Sequence, residues 1–363
     1  MKVLAATQSE RWCLGDELWH SFGGHRMRYL RLTPQQAKSR LAGDPGLGPV
    51  TKPHPPRLPL VLIHGLLGYS FSWRHNLEVL AEEREVYAVD LLGIGYSDRP
   101  FGAPARAKGT VDFGLRATAE RMLEWLEALG LRNVDLLGTS HGGAVALMMA
   151  ALEREHGSGT AVGRLVLAAP ANPWSRLGAM RIAFFGSSLG RRMAGLFAPT
   201  RATSTRAGDL STARFKRLRR AARSLALGRM YGDRTKITVE TLNGYGRMMD
   251  LPGTIEYALE VVGSWNQDMR ELQSRFHVLA NLPALLLWGS RDRAVAPESA
   301  YQLASKLRNA RLIVINGIGH MPYEEAPDEF NRLVLDFLDG GDSSAEPGES
   351  TSSQYSQPPG GDL

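Results

Sequence analysis

Short, largely apolar runs recur along the chain, separated by loops and longer helical stretches. Leu60-Val61-Leu62-Ile63, Glu85-Val86-Tyr87-Ala88-Val89, Val134-Asp135-Leu136-Leu137, Leu165-Val166-Leu167-Ala168-Ala169, Leu285-Leu286-Leu287-Trp288 and Leu312-Ile313-Val314-Ile315 have strand length and few polar positions. A strand with one wet face alternates; a continuous apolar run fits a strand covered on both faces. Between them lie helical patterns at Trp73 to Ala81, Val111 to Leu129, Ala144 to Ala151 and Asp328 to Leu338. On the Val111 to Leu129 stretch Leu115, Met122, Leu126 and Leu129 fall near one face. Repeated strand–loop–helix units with apolar strands predict an α/β fold, a mostly parallel sheet wound with helices on both faces. Near the N-terminus, partial alternation around Gly23-Gly24 from His20 to Leu32 predicts a hairpin. Residues 43–59 hold six prolines and predict an irregular surface connection.

The rhythm stops from 172 to 275. No buried-strand pattern occurs there, and helical stretches such as Ala179–Phe185 and Thr212–Met230 do, so a helical lid is expected between two strands of the sheet. The domain reading is an N-terminal segment 1–19, a core of 20–171 and 276–338, the lid 172–275, and a tail 339–363. That tail is rich in Ser, Gly and Pro, with too little apolar surface to offset its ordering entropy, and is expected to be disordered.

Composition adds limits. At 363 residues, 43% hydrophobic and 22% charged, the chain suits a soluble globular protein with a large core. Its single cysteine, Cys13, excludes an internal disulfide and suits a reducing compartment. The N-terminus lacks a signal-peptide apolar region, and no run of about 18 apolar residues exists. A cytoplasmic location is therefore expected. The net charge of +6 is uneven: residues 176–236 hold 15 Lys and Arg against Asp209 and Asp233, a balance of +13, leaving −7 elsewhere. On Thr212–Met230, Phe215, Leu218, Ala222 and Leu225 are spaced as a narrow apolar stripe among arginines. A basic amphipathic helix of this kind is expected to cover the core and to give at most weak, salt-sensitive attraction to anionic membrane surfaces. Aromatic residues do not interleave the charges, so no nucleic-acid partner is expected. Oligomeric state is not readable.

Candidate chemistry collects at strand ends. Gly138-Thr139-Ser140-His141-Gly142 stands between an apolar run and a helix-forming run. Strand, Gly-x-Ser-x-Gly and helix together make a nucleophile elbow, a turn too tight for side chains beside the serine. It sets the Ser140 hydroxyl at a helix N-terminus, where developing negative charge is favoured. A serine nucleophile needs a base, a group that orients the base, and oxyanion donors. His320 follows Leu312–Ile315 and Asp292 follows Leu285–Trp288, each at a strand end. His64-Gly65 follows Leu60–Ile63, where a loop brings the Leu66 N–H beside that of His141 as an oxyanion hole. Asp90 and Asp98 read as structural aspartates of a glycine-rich loop, and His64 and His141 as residues other than bases. Trp73, Trp174 and Trp288 are candidate pocket residues.

These motifs, with Asp90-x-x-Gly93-x-Gly95-x-Ser97, Gly289-x-x-Asp292 and Gly319-His320, resemble the α/β-hydrolase superfamily over about residues 20–338, in the lidded group of esterases, C–C bond hydrolases and cofactor-free haloperoxidases. The order Ser140, Asp292, His320 is that of its triad. Epoxide hydrolases and haloalkane dehalogenases of this fold use an aspartate nucleophile, and epoxide hydrolases tend to carry proline where this chain has Leu67; both groups are disfavoured. Some relatives place the acid before the lid, but Ala171-Asn172 offers none there, which favours Asp292. The resemblance implies a cofactor-free and metal-free serine hydrolase acting on a small-molecule carboxylic ester through an acyl-enzyme. The alternatives are C–C bond cleavage on the same triad and a non-enzymatic ligand receptor of the same fold.

Overall fold

The computed structural model describes residues 12–41, 57–100, 111–175, 221 and 223–340. Its centre is one eight-stranded sheet in the order β1-β2-β4-β3-β5-β6-β7-β8. The strands are β1 (Asp16–Phe22), β2 (His25–Leu32), β3 (Leu60–Ile63), β4 (Val86–Val89), β5 (Asn133–Thr139), β6 (Ala161–Ala168), β7 (Ala284–Gly289) and β8 (Ala310–Ile315). β1 and β2 run antiparallel to each other, as do β2 and β4. From β4 to β8 every pairing is parallel.

The apolar runs account for the middle of the sheet. All residues of β3, β4 and β7 are buried, because helices cover both faces. The edges differ: β8 is mostly half-buried and β1 nearly so. The helix His141–His156 is buried along its first twelve residues, so it reads apolar all round rather than on one stripe. The Gly23-Gly24 turn takes positive φ at both glycines, 49° and 85°, and pairs Phe22 with His25.

Three expectations shift at their edges. The hairpin starts at Asp16 rather than His20, because Glu17 on β1 is held by the buried Arg28 of β2 at 2.6 Å. The helix foreseen from Trp73 to Ala81 splits into a single 3₁₀ turn, Ser70–Trp73, and a short helix, Leu77–Leu80. Between them Asn76 is buried and spends its amide on the Tyr323 carbonyl and Asn331 Oδ1, which interrupts the helix. The helix after Val111 begins at Leu115, since Asp112 accepts the Gly114 N–H and closes a turn instead. The last helix is Pro327–Leu338.

Between β6 and β7, the described residues after 220 form helices: 223–230, Val239–Asp250, Thr254–Ser274 and Phe276–Leu279. No strand occurs there among the described residues. The stretch Ala179–Phe185, most of Thr212–Met230 with Phe215, Leu218 and Ala222, and the tail beyond 340 lie outside them. Among the described residues no helix is long and apolar enough to cross a membrane.

Candidate active site

Ser140 joins β5 to the helix His141–His156 with φ 50° and ψ −121°, a left-handed conformation for a residue with a Cβ. Such strain costs about 1–3 kcal/mol and persists only where the surroundings over-determine it. Here they do. The Ser140 N–H donates to the Ala168 carbonyl at 3.1 Å, and its carbonyl accepts from Gly143 at 3.0 Å and Ala171 at 2.8 Å. The flanking glycines are required by contact: a Cβ on Gly138 would strike the Gly142 carbonyl, and one on Gly142 the Ile63 and His64 carbonyls. A side chain at either position would push the turn open, so the serine is aimed by the absence of its neighbours' side chains.

Asp292 and His320 are brought together by strand order. β7 and β8 are adjacent and parallel, so the loops that leave their C-terminal ends meet. At the crossing a Cβ on Gly289 would collide with the carbonyls of Ile318 and Gly319. His320 Nδ1 then lies 2.7 Å from Asp292 Oδ2, with both residues buried. The other carboxylate oxygen of Asp292 accepts the N–H groups of Ala294 at 2.7 Å and Val295 at 2.9 Å. Two backbone donors thus fix the carboxylate, which fixes the ring.

His64 has a different task. Its Nε2 accepts the Leu91 N–H at 3.1 Å, so the proton sits on Nδ1 and is given to the Gly65 carbonyl at 2.7 Å. Burial pushes this imidazole down, favouring the neutral form that the two bonds need. His141 is also fully enclosed; burial, then the nearby His64, hold it down at about 3. Among the described residues its ring Nδ1 has no hydrogen-bond partner. Neither ring is placed as a general base, as the sequence suggested. Asp90 receives the N–H groups of Ser70 at 2.7 Å and Tyr96 at 2.9 Å and the Arg28 guanidinium at 3.1 Å, tying β2 to the loop after β3. Asp98 holds Arg26 on β2. Asp135 pairs with Arg164 at 2.6 Å. These three are structural.

Ser140 and His320 face one cavity of about 350 Å³. The Gly65-Leu66-Leu67-Gly68 loop forms one side; Ala226, Leu227 and Met230 of the insertion and Met321 form others. The surface is mainly apolar, the usual character of a small-molecule site. Leu66 also lines this cavity.

The three tryptophans are elsewhere. Trp73 is wholly buried and packs on Tyr323 at a ring separation of 4.9 Å. Trp288 is wholly buried on β7 and donates its N–H to the Val295 carbonyl at 2.9 Å. Trp174 meets Phe276 edge-on at 4.7 Å. None of them lines the cavity, because the apolar walls come from Leu and Met residues of the loops and the insertion.

Two acidic side chains went unread in the sequence. Glu325, buried, accepts the N–H groups of Gly319 at 2.8 Å, Gly232 at 2.9 Å and Asp233 at 3.2 Å. It binds the histidine loop to the turn that follows helix 223–230 of the insertion. Glu324 is clasped through both oxygens by Arg74, at 2.9 and 3.1 Å, and receives the Tyr231 and Tyr245 hydroxyls. Adjacent glutamates read as a wet surface; only their place four and five residues after His320 distinguishes them.

A sequence model of the family described as the alpha/beta hydrolase fold matches residues 59–327. Among curated proteins, the dihydrolipoyllysine-residue acetyltransferase component of the acetoin cleaving system of Pseudomonas putida is 31% identical over 289 residues, 77% of this chain. The chain spans 63% of the length of that relative. The 2-hydroxy-6-oxo-2,4-heptadienoate hydrolase of Pseudomonas putida is 26% identical over 77% of this chain and 88% of its own. A solved alpha/beta hydrolase fold protein from Burkholderia ambifaria matches with a TM-score of 0.64 and 22% identity, covering 90% of this chain and 99% of that one.

Proposed function

The chain belongs to the α/β-hydrolase fold family, and from that premise we propose that it is a serine hydrolase of carboxylic esters with Ser140, His320 and Asp292 as its triad. The observation that carries the reading is the 2.7 Å Asp292–His320 pair opening, with the strained Ser140, onto one apolar cavity. In this reaction His320 removes the Ser140 proton as the hydroxyl attacks the acyl carbon. The N–H groups of Leu66 and His141 receive the oxyanion. Asp292 holds the imidazole in one tautomer and balances its charge once protonated. His320 gives the proton to the leaving alcohol, then activates water against the acyl-enzyme. The insertion supplies part of the cavity wall, and hydrolysis proceeds in free solution with at most weak, salt-sensitive attraction to anionic lipid.

C–C bond hydrolysis is a second reading, favoured by the relative that acts on a heptadienoate. That class of substrate carries a carboxylate. Among the described lining residues Arg223 is the only Lys or Arg, and it is ion-paired with Asp250. Among the described residues the cavity is apolar and its one guanidinium is already paired, which supports an uncharged ester. A fluorophosphonate probe with wild type and Ser140→Ala, followed by p-nitrophenyl esters of graded chain length, tests the assignment. Labelling and turnover that depend on Ser140 are expected. A silent Ser140 sinks the enzyme reading in favour of a ligand receptor.

A further inference from the structure

The helix Val239–Asp250 of the insertion holds two glycines in its interior, Gly244 and Gly246. Glycine is among the poorest helix formers, so each needs a physical reason for its place. Gly244 finds one in the packing: a Cβ there would strike the Phe71 ring. The same side of the helix is fastened along its length. Thr241 Oγ1 accepts from Arg74 at 2.9 Å, the Gly244 carbonyl accepts the Tyr69 hydroxyl at 3.1 Å, and Met248 Sδ accepts from Arg99 at 3.1 Å. Positions 241, 244 and 248 share one helix face, and that face docks on the loops that follow β3 and β4.

Gly246 is turned elsewhere. It lines the cavity together with Tyr245 and Met249 of the same helix. Among the described residues a Cβ built on it meets one atom within 4 Å, Arg223 Nη1 at 3.4 Å. That is ordinary van der Waals contact with the end of a flexible side chain, which Asp250 already holds. The backbone does not demand glycine either, since Gly246 has no positive φ. Arg223, Ala226, Leu227 and Met230 all line the cavity and are spaced as one face of the helix 223–230. Gly246 abuts that face at Arg223, so the room a side chain would fill is bounded by apolar groups. Among the described residues it is cavity, rather than packing, that a side chain at 246 would displace.

The geometry points to Gly246 as a specificity-determining residue: the side chain it lacks is the room in which the cavity seats an apolar group of the substrate. This rests on the ester-hydrolase reading and narrows its substrate class to esters that carry an apolar chain longer than acetyl or ethyl, in either the acyl or the alcohol part. The two glycines then have opposite tasks. Gly244 lets the helix approach the Phe71 loop, and Gly246 keeps the opposite wall clear. The first belongs to the stability of the fold and the second to its choice of substrate.

The test measures kcat/KM for ethyl acetate, ethyl hexanoate and hexyl acetate in wild type, Gly246→Ala and Gly246→Leu, with thermal unfolding alongside. Wild type is expected to prefer at least one of the two long esters over ethyl acetate. Even one methylene in an apolar pocket changes relative rates by about tenfold or more, so Gly246→Leu should lower that preference by at least about tenfold, and Gly246→Ala by less. Gly246→Ala should hold or slightly raise Tm, because alanine favours the helix, whereas Gly244→Ala, which meets Phe71, should lower it. A loss shared equally by the three esters, or a Tm that falls in Gly246→Ala, overturns the assignment, since packing then needs the glycine. No preference in wild type, or an unchanged preference in Gly246→Leu, overturns it as well. All of these leave the ester-hydrolase reading standing. Absence of Ser140-dependent turnover on every ester overturns both.

Discussion

The backbone N–H of His320 donates to the carbonyl of Met230 at 2.6 Å. Met230 is the last residue of the helix 223–230 in the insertion, and it also lines the cavity. The proposed base is thus anchored twice, through its ring to Asp292 in the loop after β7 and through its main chain to the insertion. A shift of the insertion moves the histidine.

Ser140→Ala should abolish fluorophosphonate labelling and lower kcat by roughly 10³-fold or more without loss of fold, since the alanine keeps the backbone. Circular dichroism checks the fold. Wild-type turnover in this variant removes Ser140 from the chemistry.

Asp292→Asn is expected to cut kcat by about 10²–10⁴-fold, because an amide in place of Oδ2 favours the wrong imidazole tautomer. Asp98→Asn, at a half-exposed site facing Arg26, serves as the control with near wild-type kcat. The reverse pattern would reassign the acid.

Glu325→Gln replaces one acceptor oxygen with an NH2 group, leaving either Gly319 or the Gly232–Asp233 pair without its acceptor. The expectation is a lower Tm and about tenfold lower kcat with KM nearly unchanged, since an unpaired buried donor costs about 1–3 kcal/mol and the damage reaches His320 rather than the cavity. A change confined to KM would show that the clamp does not position the base.

Acid should unfold the protein through its buried imidazoles. His141 is held at about 3 and His64 is also lowered, whereas an unfolded histidine titrates near 6.5. Below that pH the unfolded chain takes up protons that the native one refuses. The stability a neutral His141 confers is complete above about 6.5 and is lost as pH falls towards 3, by up to about 1.4 kcal/mol per pH unit, and His64 acts in the same direction. Urea melts between pH 7 and 4 should show this slope, and His141→Asn should reduce it by about one proton. An unchanged slope would mean that His141 accepts a proton in the native state.

Sedimentation with phosphatidylserine vesicles tests the basic insertion. Weak binding that disappears at high salt is expected, with undiminished hydrolysis of dissolved ester. Tight binding at high salt with activity only on vesicle-borne ester would indicate an interfacial lipase.

Much of this architecture was legible in the sequence because the signals are local. Leu60–Ile63 and Leu285–Trp288 announce covered strands by composition alone, and the motifs follow strand ends by a fixed count. The boundaries of the hairpin and of the Trp73 helix were not, because Arg28 and Asn76 decide them by reaching residues distant in sequence. Asp292 and His320 were readable from strand order. The cavity walls were not: Met230, Tyr245 and Met321 converge from three elements whose packing no periodicity encodes. Tryptophan looked like wall material by size, yet Trp73 and Trp288 fill the core. Glu324 and Glu325 look like surface charge until Arg74 and three backbone N–H groups are seen around them.

The close passage of Gly232 against Gly317 and Gly319 decides where this fold can be cut and rejoined. A Cβ on Gly232 would strike the Gly317 carbonyl, and one on Gly319 the Met230 carbonyl. Exchanging the insertion for that of another hydrolase to change its substrate range therefore has a natural seam only beyond Asp233. A graft that replaces Met230, Tyr231 or Gly232 with bulkier or differently spaced residues carries away the mould against which the His320 loop sets. The chimera would then inherit a new pocket and a misaligned His320 together.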